Sequence, residues 1–366
     1  MNPVVIALAS NERYFQGLYC AVASALGHMA TGSVVDVHVL DGGISQTSKS
    51  ILLRLAERFG QSVRVEFVPV DDSVFRGAAL GPSRSHMAYC RILLPRVLDV
   101  PRLIYLDSDV LVFRDLSALF DLKLSSDKIL AAVRDSETLS LGNDSRVVAD
   151  AMKLPAQGAY YNSGVMLMDL DELRKQNFPE RSLEFLKNWS GRYRFWDQSA
   201  FNFLLYGRID ELPEYWNRAS WQFDEQEEND LGCVLHYTCS APWLRQKPGP
   251  AQALFERFAW HAGLAVNWRT TEYMRSRHQW FWRSTLAPLR AAAFFMESIL
   301  YKISGRRKKA ADYQRAARYW FNYLRNVPSR RRVYGRRIAE IQNMKFDAAT
   351  SETLHEGLEA RRQQHE

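Results

Sequence analysis

The triplet Asp107-Ser108-Asp109 sits inside the apolar run "LIYLDSDVLV", from Leu103 to Val112. Ile104, Leu106, Val110 and Val112 give that run the composition of a buried strand. Side chains alternate along a strand, so Asp107 and Asp109 project to one side with Ser108 opposite. Two carboxylates that close repel each other, and burial raises the cost of holding both charged. A hard divalent cation, Mg²⁺ or Mn²⁺, relieves both penalties through oxygen ligands. A polar turn carrying two solvated aspartates satisfies the same triplet, so other residues must decide. His236, at the end of the strand-like stretch in "VLHYTCSAPWL", offers a third ligand for such a site. A histidine packed among aromatics is its structural alternative.

Two further polar clusters interrupt apolar segments. In "YYNSGVMLMDL" a strand is entered through Asn162 and Ser163, and Gly164 permits close backbone approach. In "FWDQSAFNFLL" an apolar helix begins with Asp197 in a capping-like position and Gln198 beside it.

The elements that must hold these residues follow from periodicity. Strands are expected at Val4 to Leu8, Val34 to Leu40, Val63 to Pro69, Arg102 to Leu106, Ile129 to Val133, Gly164 to Asp169 and Val234 to Tyr237. Leu18, Val22, Ala25, Leu26 and Met29 make the apolar face of a helix between the first two strands. A second helix is expected over about Ser45 to Phe59, with Ile51, Leu52, Leu55 and Phe59 inward. Alternating strands and helices predict an α/β sandwich with a mostly parallel central sheet. Ligands of such sheets bind beyond the carboxyl ends of the strands, where Asp107 and Asp109 fall.

Composition divides the 366 residues into two regions. Residues 270–366 hold 20 Lys+Arg against 9 Asp+Glu, a net of +11, whereas residues 1–269 hold 28 against 32, a net of −4. We therefore expect one α/β domain over 1–269, where the polar clusters lie, and a basic, aromatic, helical region over 270–366. The latter has an apolar stripe of Leu289, Ala293, Met296, Leu300 and Ile303, then Tyr313, Trp320, Tyr323 and Leu324 interleaved with Arg315, Arg318 and Arg325. That mixture suits an anionic membrane surface, with a helical cap on the first domain as the alternative. A basic tail also raises nucleic-acid binding, but helix-turn-helix, zinc-finger and RRM patterns are absent, so no nucleic-acid partner is expected. Cys20, Cys90, Cys233 and Cys239 form no CxxC pair or disulfide framework, which fits a reducing compartment. The N-terminus lacks the basic region of a signal peptide and no stretch is long and apolar enough to span a bilayer, so a cytoplasmic location is expected.

The ordered motifs "IALASNERY", "AYCRILLP", "LIYLDSDVLV", "AAVRD", "YYNSGVMLMDL", "WDQSAFN" and "LHYTCSAPW", over about residues 3–245, resemble glycosyltransferase family 8. Within it they look most like bacterial lipopolysaccharide and lipooligosaccharide galactosyl- and glucosyltransferases. The resemblance implies a GT-A fold, UDP-galactose or UDP-glucose as donor, Mn²⁺ or Mg²⁺, a glycan or glycolipid acceptor, and retention at the transferred sugar. A lipid-borne acceptor would bring the chain to the inner face of the cytoplasmic membrane.

Residue by residue, the resemblance implies that Asp107, Asp109 and His236 bind the metal. It implies that Ala9, Asn11 and Tyr14 line the nucleotide loop, with Tyr14 on uracil, and that Arg91, Ser108 and Asn162 contact the donor. Asp135, Asn162, Asp197 and Gln198 match positions around the transferred sugar, with Gln198 near the β face of its anomeric carbon. One motif departs from the family. Relatives usually follow the His-Tyr pair with a glycine-containing loop and Lys-Pro-Trp; here the order is Cys239, Ser240, Ala241, Pro242, Trp243. Arg245 or Lys247 is then the candidate to replace the missing diphosphate lysine.

Overall fold

The strands assemble because their burial demands it. In the computed structural model, which describes residues 3–60, 62–76, 78, 85–223, 232–238, 241–243, 250–262, 295, 296 and 299, all seven residues of β1 (Val4–Ser10) are buried. A strand covered on both faces belongs inside a sheet, and β1 lies between β2 (Val35–Asp41) and β4 (Arg102–Leu106). β3 (Val63–Pro69), with its half-exposed pattern, takes the edge beyond β2. The sheet continues on the other side of β4 through β7 (Tyr161–Asp169), β6 (Leu130–Arg134) and β8 (Ile209–Leu212). Every neighbouring pair is parallel except the two made by β7. The mostly parallel central sheet is as expected, although β8 was not anticipated.

Alternate residues of β1 enter different cores. Ile6 and Leu8 join a cluster with Leu18, Val22 and Leu26 of α1 (Phe15–Gly27) and with Leu52 and Leu55 of α2 (Gln46–Glu57). Val5, Ala7 and Ala9 face the opposite cluster, which contains Phe185 of α3 (Phe178–Asn188) and Phe201 of α4 (Trp196–Leu204). The result is an α/β/α sandwich. Truncating a fully buried side chain here, such as Leu8→Ala, costs about 2–5 kcal/mol through lost transfer energy and the cavity left behind. The second helix is slightly shorter than expected at both ends: Ser45 lies outside it as a cap, accepting from Ser48 N–H at 3.2 Å, and Arg58 and Phe59 lie beyond its carboxyl end.

The run from Leu103 to Val112 is two strands rather than one. β4 ends at Leu106, residues 107–109 turn, and β5 (Val110–Val112) leaves for a second sheet. That sheet has the order β5-β10-β9, with β9 at Arg218–Ala219 and β10 at Val234–His236. The strand expected at Val234 to Tyr237 therefore belongs to this small sheet. Its register sets His236 against Val110, and Tyr237 N–H donates to the Asp109 carbonyl at 2.9 Å.

The chain divides into two compact units, Met1–Leu264 and Ala265–Glu366. In the first, the helix Pro250–His261 packs Leu254, Phe255 and Ala259 into the α1-side core. Of the basic region only Phe295, Met296 and Ile299 are described; the rest of its expected stripe, and the arginines between its aromatics, lie outside the described residues. No helix among the described residues is long and apolar enough to cross a membrane. Cys20, Cys90 and Cys233 are buried, and none of them forms a disulfide among the described residues.

Candidate active site

The turn that splits the apolar run is what makes the site. Asp107 N–H donates to the Gly164 carbonyl of β7 at 2.7 Å, holding the turn at the carboxyl end of β4. Ser108 points away from the aspartates and donates its hydroxyl to the Ala9 carbonyl at 2.9 Å, tying the turn to the end of β1. The carboxylates then meet His236: its Nε2 lies 3.3 Å from Asp109 Oδ1 and 3.6 Å from Asp107 Oδ2. One ligand atom from each of the three residues lies within 4.8 Å of the others.

Gly164 is required for this convergence. A Cβ there would stand 2.1 Å from His236 Cε1 and 2.8 Å from Asp107 Oδ2. The histidine ring occupies the space a side chain would take. Burial disfavours the charged imidazole, but the hydrogen bond to Asp109 and the charges of both aspartates outweigh it and raise the His236 pKa. The pair thus draws positive charge toward Nε2. Two hard oxygen donors and one imidazole nitrogen form a donor set that fits Mn²⁺ or Mg²⁺.

Arg91 lies beside these residues, on the 3₁₀ helix His86–Leu93, and is only 4 % exposed. Its guanidinium is 2.7 Å from Asp107 Oδ1 and 3.0 Å from Asp197 Oδ2, and it donates to the Ser163 carbonyl at 2.6 Å. This is a buried pairing and not an ion pair on a helix surface. Burial works against its charge, but Asp107 and Asp197 overcome that and lift its pKa well above the usual value. Burial pushes the Asp197 carboxyl up to about 6, with Arg91 pulling the other way. For Asp107, burial likewise wins over Arg91 and raises the pKa. Tyr105 hydroxyl completes its shell, donating to Oδ1 at 3.1 Å.

Asp197 does not cap α4. It is the second residue of that helix, and its carboxylate turns to Arg91 and to the Ser163 hydroxyl at 3.4 Å. Ser199 takes the capping role instead, accepting from Phe195 N–H at 3.1 Å. Between them Trp196 adopts φ +50°, a left-handed conformation uncommon for a bulky residue. Gln198 follows, with Oε1 accepting from Ser163 N–H at 3.0 Å and Nε2 donating to Asp135 Oδ2 at 3.2 Å. Asn162 Nδ2 donates to the same Asp135 oxygen at 3.0 Å. The structure thus brings Asp135, Asn162, Asp197 and Gln198 together beside the three-ligand cluster.

The nucleotide-loop candidates lie on the other side of the turn. Ala9 ends β1, and Asn11 Oδ1 accepts from Tyr14 N–H at 3.3 Å while its Nδ2 reaches Ser85 at 3.2 Å. Tyr14 stands edge-on to Trp243, with ring centroids 5.6 Å apart. Trp243 in turn fills the space over Gly17, where a Cβ would be 2.1 Å from its ring, and donates to the Arg13 carbonyl at 3.2 Å. Arg245 and Lys247 lie outside the described residues.

A family model described as glycosyl transferase family 8 matches residues 5–247. The chain belongs to glycosyltransferase family 8. This family 8 chain is 30 % identical to General stress protein A of Bacillus subtilis (strain 168) over 260 residues, 65 % of this chain and 86 % of that one. It is 32 % identical to lipopolysaccharide 1,2-glucosyltransferase of Escherichia coli (strain K12) over 157 residues, 40 % of this chain and 45 % of that one. Its fold is similar to that of the galactosyltransferase LgtC, solved with donor and acceptor sugar analogues. The TM-score there is 0.59 at 24 % identity, covering 70 % of this chain and 95 % of that one. The architecture is GT-A, as the motif order implied.

Sequence reasoning missed Asn217 and Tyr105 as members of this site, and marked Ser163 only as a polar break in an apolar segment, with no partner. Asn217 carries no spacing signal: it stands alone between Trp216 and Arg218. Ser163 and Tyr105 were visible beside motif residues, but nothing in their types said that they would face Arg91 or Asp107.

Proposed function

We propose that this chain is a retaining, metal-dependent hexosyltransferase that moves galactose or glucose from a UDP-sugar to a glycan acceptor, the lipopolysaccharide core being the acceptor class we favour. The observation that carries the reading is the convergence of Asp107, Asp109 and His236 next to Asp135, Asn162 and Gln198, at the carboxyl end of β4 and the amino end of β7, in a family 8 chain. When bound by Asp107, Asp109 and His236, Mn²⁺ or Mg²⁺ supplies positive charge for the diphosphate leaving group.

The protein's own residues then do the rest. Ala9, Asn11 and Tyr14 bind the nucleotide. Arg91 holds Asp107 and Asp197 in place by charge-assisted hydrogen bonds. Asp135, Asn162 and Asp197 orient the sugar, and Gln198 faces its anomeric carbon. A neutral amide oxygen is a poor nucleophile, and that of Gln198 already accepts from Ser163 N–H. Front-face attack by the acceptor hydroxyl therefore accounts for retention better than a glycosyl-enzyme: the new glycosidic bond forms as the bond to the diphosphate breaks, and the hydroxyl proton passes to the departing phosphate oxygen. Arg245 or Lys247 takes the place of the missing diphosphate lysine, and the basic C-terminal region holds the enzyme reversibly on anionic lipid at the inner face of the cytoplasmic membrane.

The deciding experiment incubates the full chain with Mn²⁺, a panel of UDP-sugars and truncated lipid-A-core acceptors, and follows the anomeric proton of the first-formed product by NMR. An α-linked product that disappears in EDTA and in Asp109→Ala supports the proposal. A β-linked product, or full activity of Asp109→Ala in chelator, refutes it. Salt-sensitive sedimentation with anionic liposomes tests the membrane role separately, and indifference to liposomes at low salt removes it.

A further inference from the structure

The metal-ligand candidates and the sugar-side cluster are joined through a side chain that no motif predicted, Asn217. His236 Nδ1 lies 2.9 Å from Asn217 Oδ1. Asn217 Nδ2 donates to Asn162 Oδ1 at 2.9 Å, and Asn162 Nδ2 donates to Asp135 Oδ2 at 3.0 Å. Gln198 meets the same Asp135 oxygen. Asn217 and His236 are 7 % and 4 % exposed, so water does not compete for these partners.

The direction of every bond in this chain is fixed from its ends. Asn162 Oδ1 also accepts from the backbone N–H of Gly164 at 2.9 Å. A backbone N–H can only donate, so that atom of Asn162 must be its oxygen. The opposite end agrees: Asp135 Oδ1 is held by the backbone N–H groups of Glu137 and Thr138, which leaves Oδ2 to accept from the Asn162 amide. With the Asn162 oxygen facing Asn217, Asn217 must present its NH₂ there and its oxygen to His236. The Nδ1 of His236 must then carry a hydrogen, and Nε2 is left as the nitrogen that faces Asp107 and Asp109 and would give its lone pair to a cation held there.

We infer that Asn217 is a positioning residue that sets the His236 tautomer and ties the metal-ligand set to Asp135 and Gln198. The inference rests on the proposed metal-dependent transfer for its purpose. Outer partners of this kind orient a ligating imidazole, and their loss lowers metal affinity. Asn217 does this with one amide and uses the other half of that amide to reach the sugar side. A displacement of His236 is thereby passed to Asn162 and Asp135.

Two substitutions separate these roles. Asn217→Leu keeps the branched four-atom side-chain shape and removes both bonds. Asn217→Asp keeps an acceptor for the Nδ1 hydrogen but cannot donate to Asn162. Mn²⁺ binding to the full chain is measured by calorimetry without sugar nucleotide, and donor KM and kcat are measured in parallel. Asn217→Leu is expected to bind Mn²⁺ about 10–100-fold more weakly. Asn217→Asp is expected to bind Mn²⁺ within about threefold of wild type while kcat falls about tenfold at little-changed KM, the signature of a misplaced reacting group rather than lost donor binding. A folded Asn217→Leu with wild-type Mn²⁺ affinity overturns the inference. Should Asn217→Leu not fold, Asn217→Asp decides alone: reduced kcat at retained Mn²⁺ affinity upholds the inference, and unchanged kcat or lost Mn²⁺ affinity overturns it. A wild type that takes up no Mn²⁺ removes the metal reading itself, a result distinct from any variant-specific change.

Discussion

Gly164→Ala is the substitution whose outcome follows most directly from the geometry. The added Cβ would meet His236 Cε1 at 2.1 Å, His236 Nδ1 at 2.7 Å and Asp107 Oδ2 at 2.8 Å. All three are closer than carbon tolerates, and His236 has little freedom to withdraw. Its ring is buried, bonded through Nδ1 to Asn217, and carried by a strand whose register with β5 is fixed. Overpacking a site of this kind costs about 1–3 kcal/mol. Movement of the ring also spoils the ligand set, so Mn²⁺ affinity should fall by at least about tenfold. The assay is a double-mutant cycle in urea, with Gly164→Ala introduced into wild type and into His236→Ala. If the ring is the obstacle, most of the penalty disappears in the second background, leaving only the contact with Asp107. Equal penalties in the two backgrounds would refute the reasoning and move the strain to the backbone of β7.

Two further outcomes rest on the buried charges. Arg91→Met strands the carboxylates of Asp107 and Asp197, and breaking a buried pair in this way costs about 3–5 kcal/mol; urea unfolding with EDTA should show that loss, and Mn²⁺ should recover part of it by neutralising Asp107. In metal-free protein the Asp197 carboxyl, at about 6, lies above its unfolded value, so between the usual carboxylate range and pH 6 the folded state binds more protons than the unfolded. Stability from this group is then fully present at low pH and declines as pH rises through about 6. Relative to Asp197→Asn, the wild type should lose stability from pH 4 to pH 7 in thermal melts, and a difference independent of pH would contradict the burial argument.

The chemistry of the site was legible wherever it was written as a local interruption of an apolar pattern. Asp107 and Asp109 inside "LIYLDSDVLV", Asn162 and Ser163 before "GVMLMDL", and Asp197 and Gln198 at the head of "AFNFLL" each break a segment that must be buried. Such a break is costly unless the polar group has a use or a partner, so composition and period reveal it. The sandwich and its mostly parallel sheet were readable for the same reason: hydrophobic periodicity reports which faces are covered. The short β5, β8 and β9 were not readable as separate strands, because three or fewer apolar residues carry no period and β8 alternates weakly at a sheet edge.

The tertiary structure alone decided which polar groups meet. One continuous strand would have put Asp107 and Asp109 on one side of one sheet; the turn between β4 and β5 instead hands them to two sheets, and the β5–β10 register brings in His236 from more than a hundred residues away. Arg91 stood out in "AYCRILLP" only through the family resemblance, as a donor contact, and it becomes the buried link between Asp107 and Asp197 only when β4, β7 and α4 converge. Asn217, isolated in the chain, acquires its partners from β10 and β7. A sequence records the cost of burying a polar residue, because that cost is local. The identity of the partner that offsets it depends on which distant segments the fold places within hydrogen-bond reach.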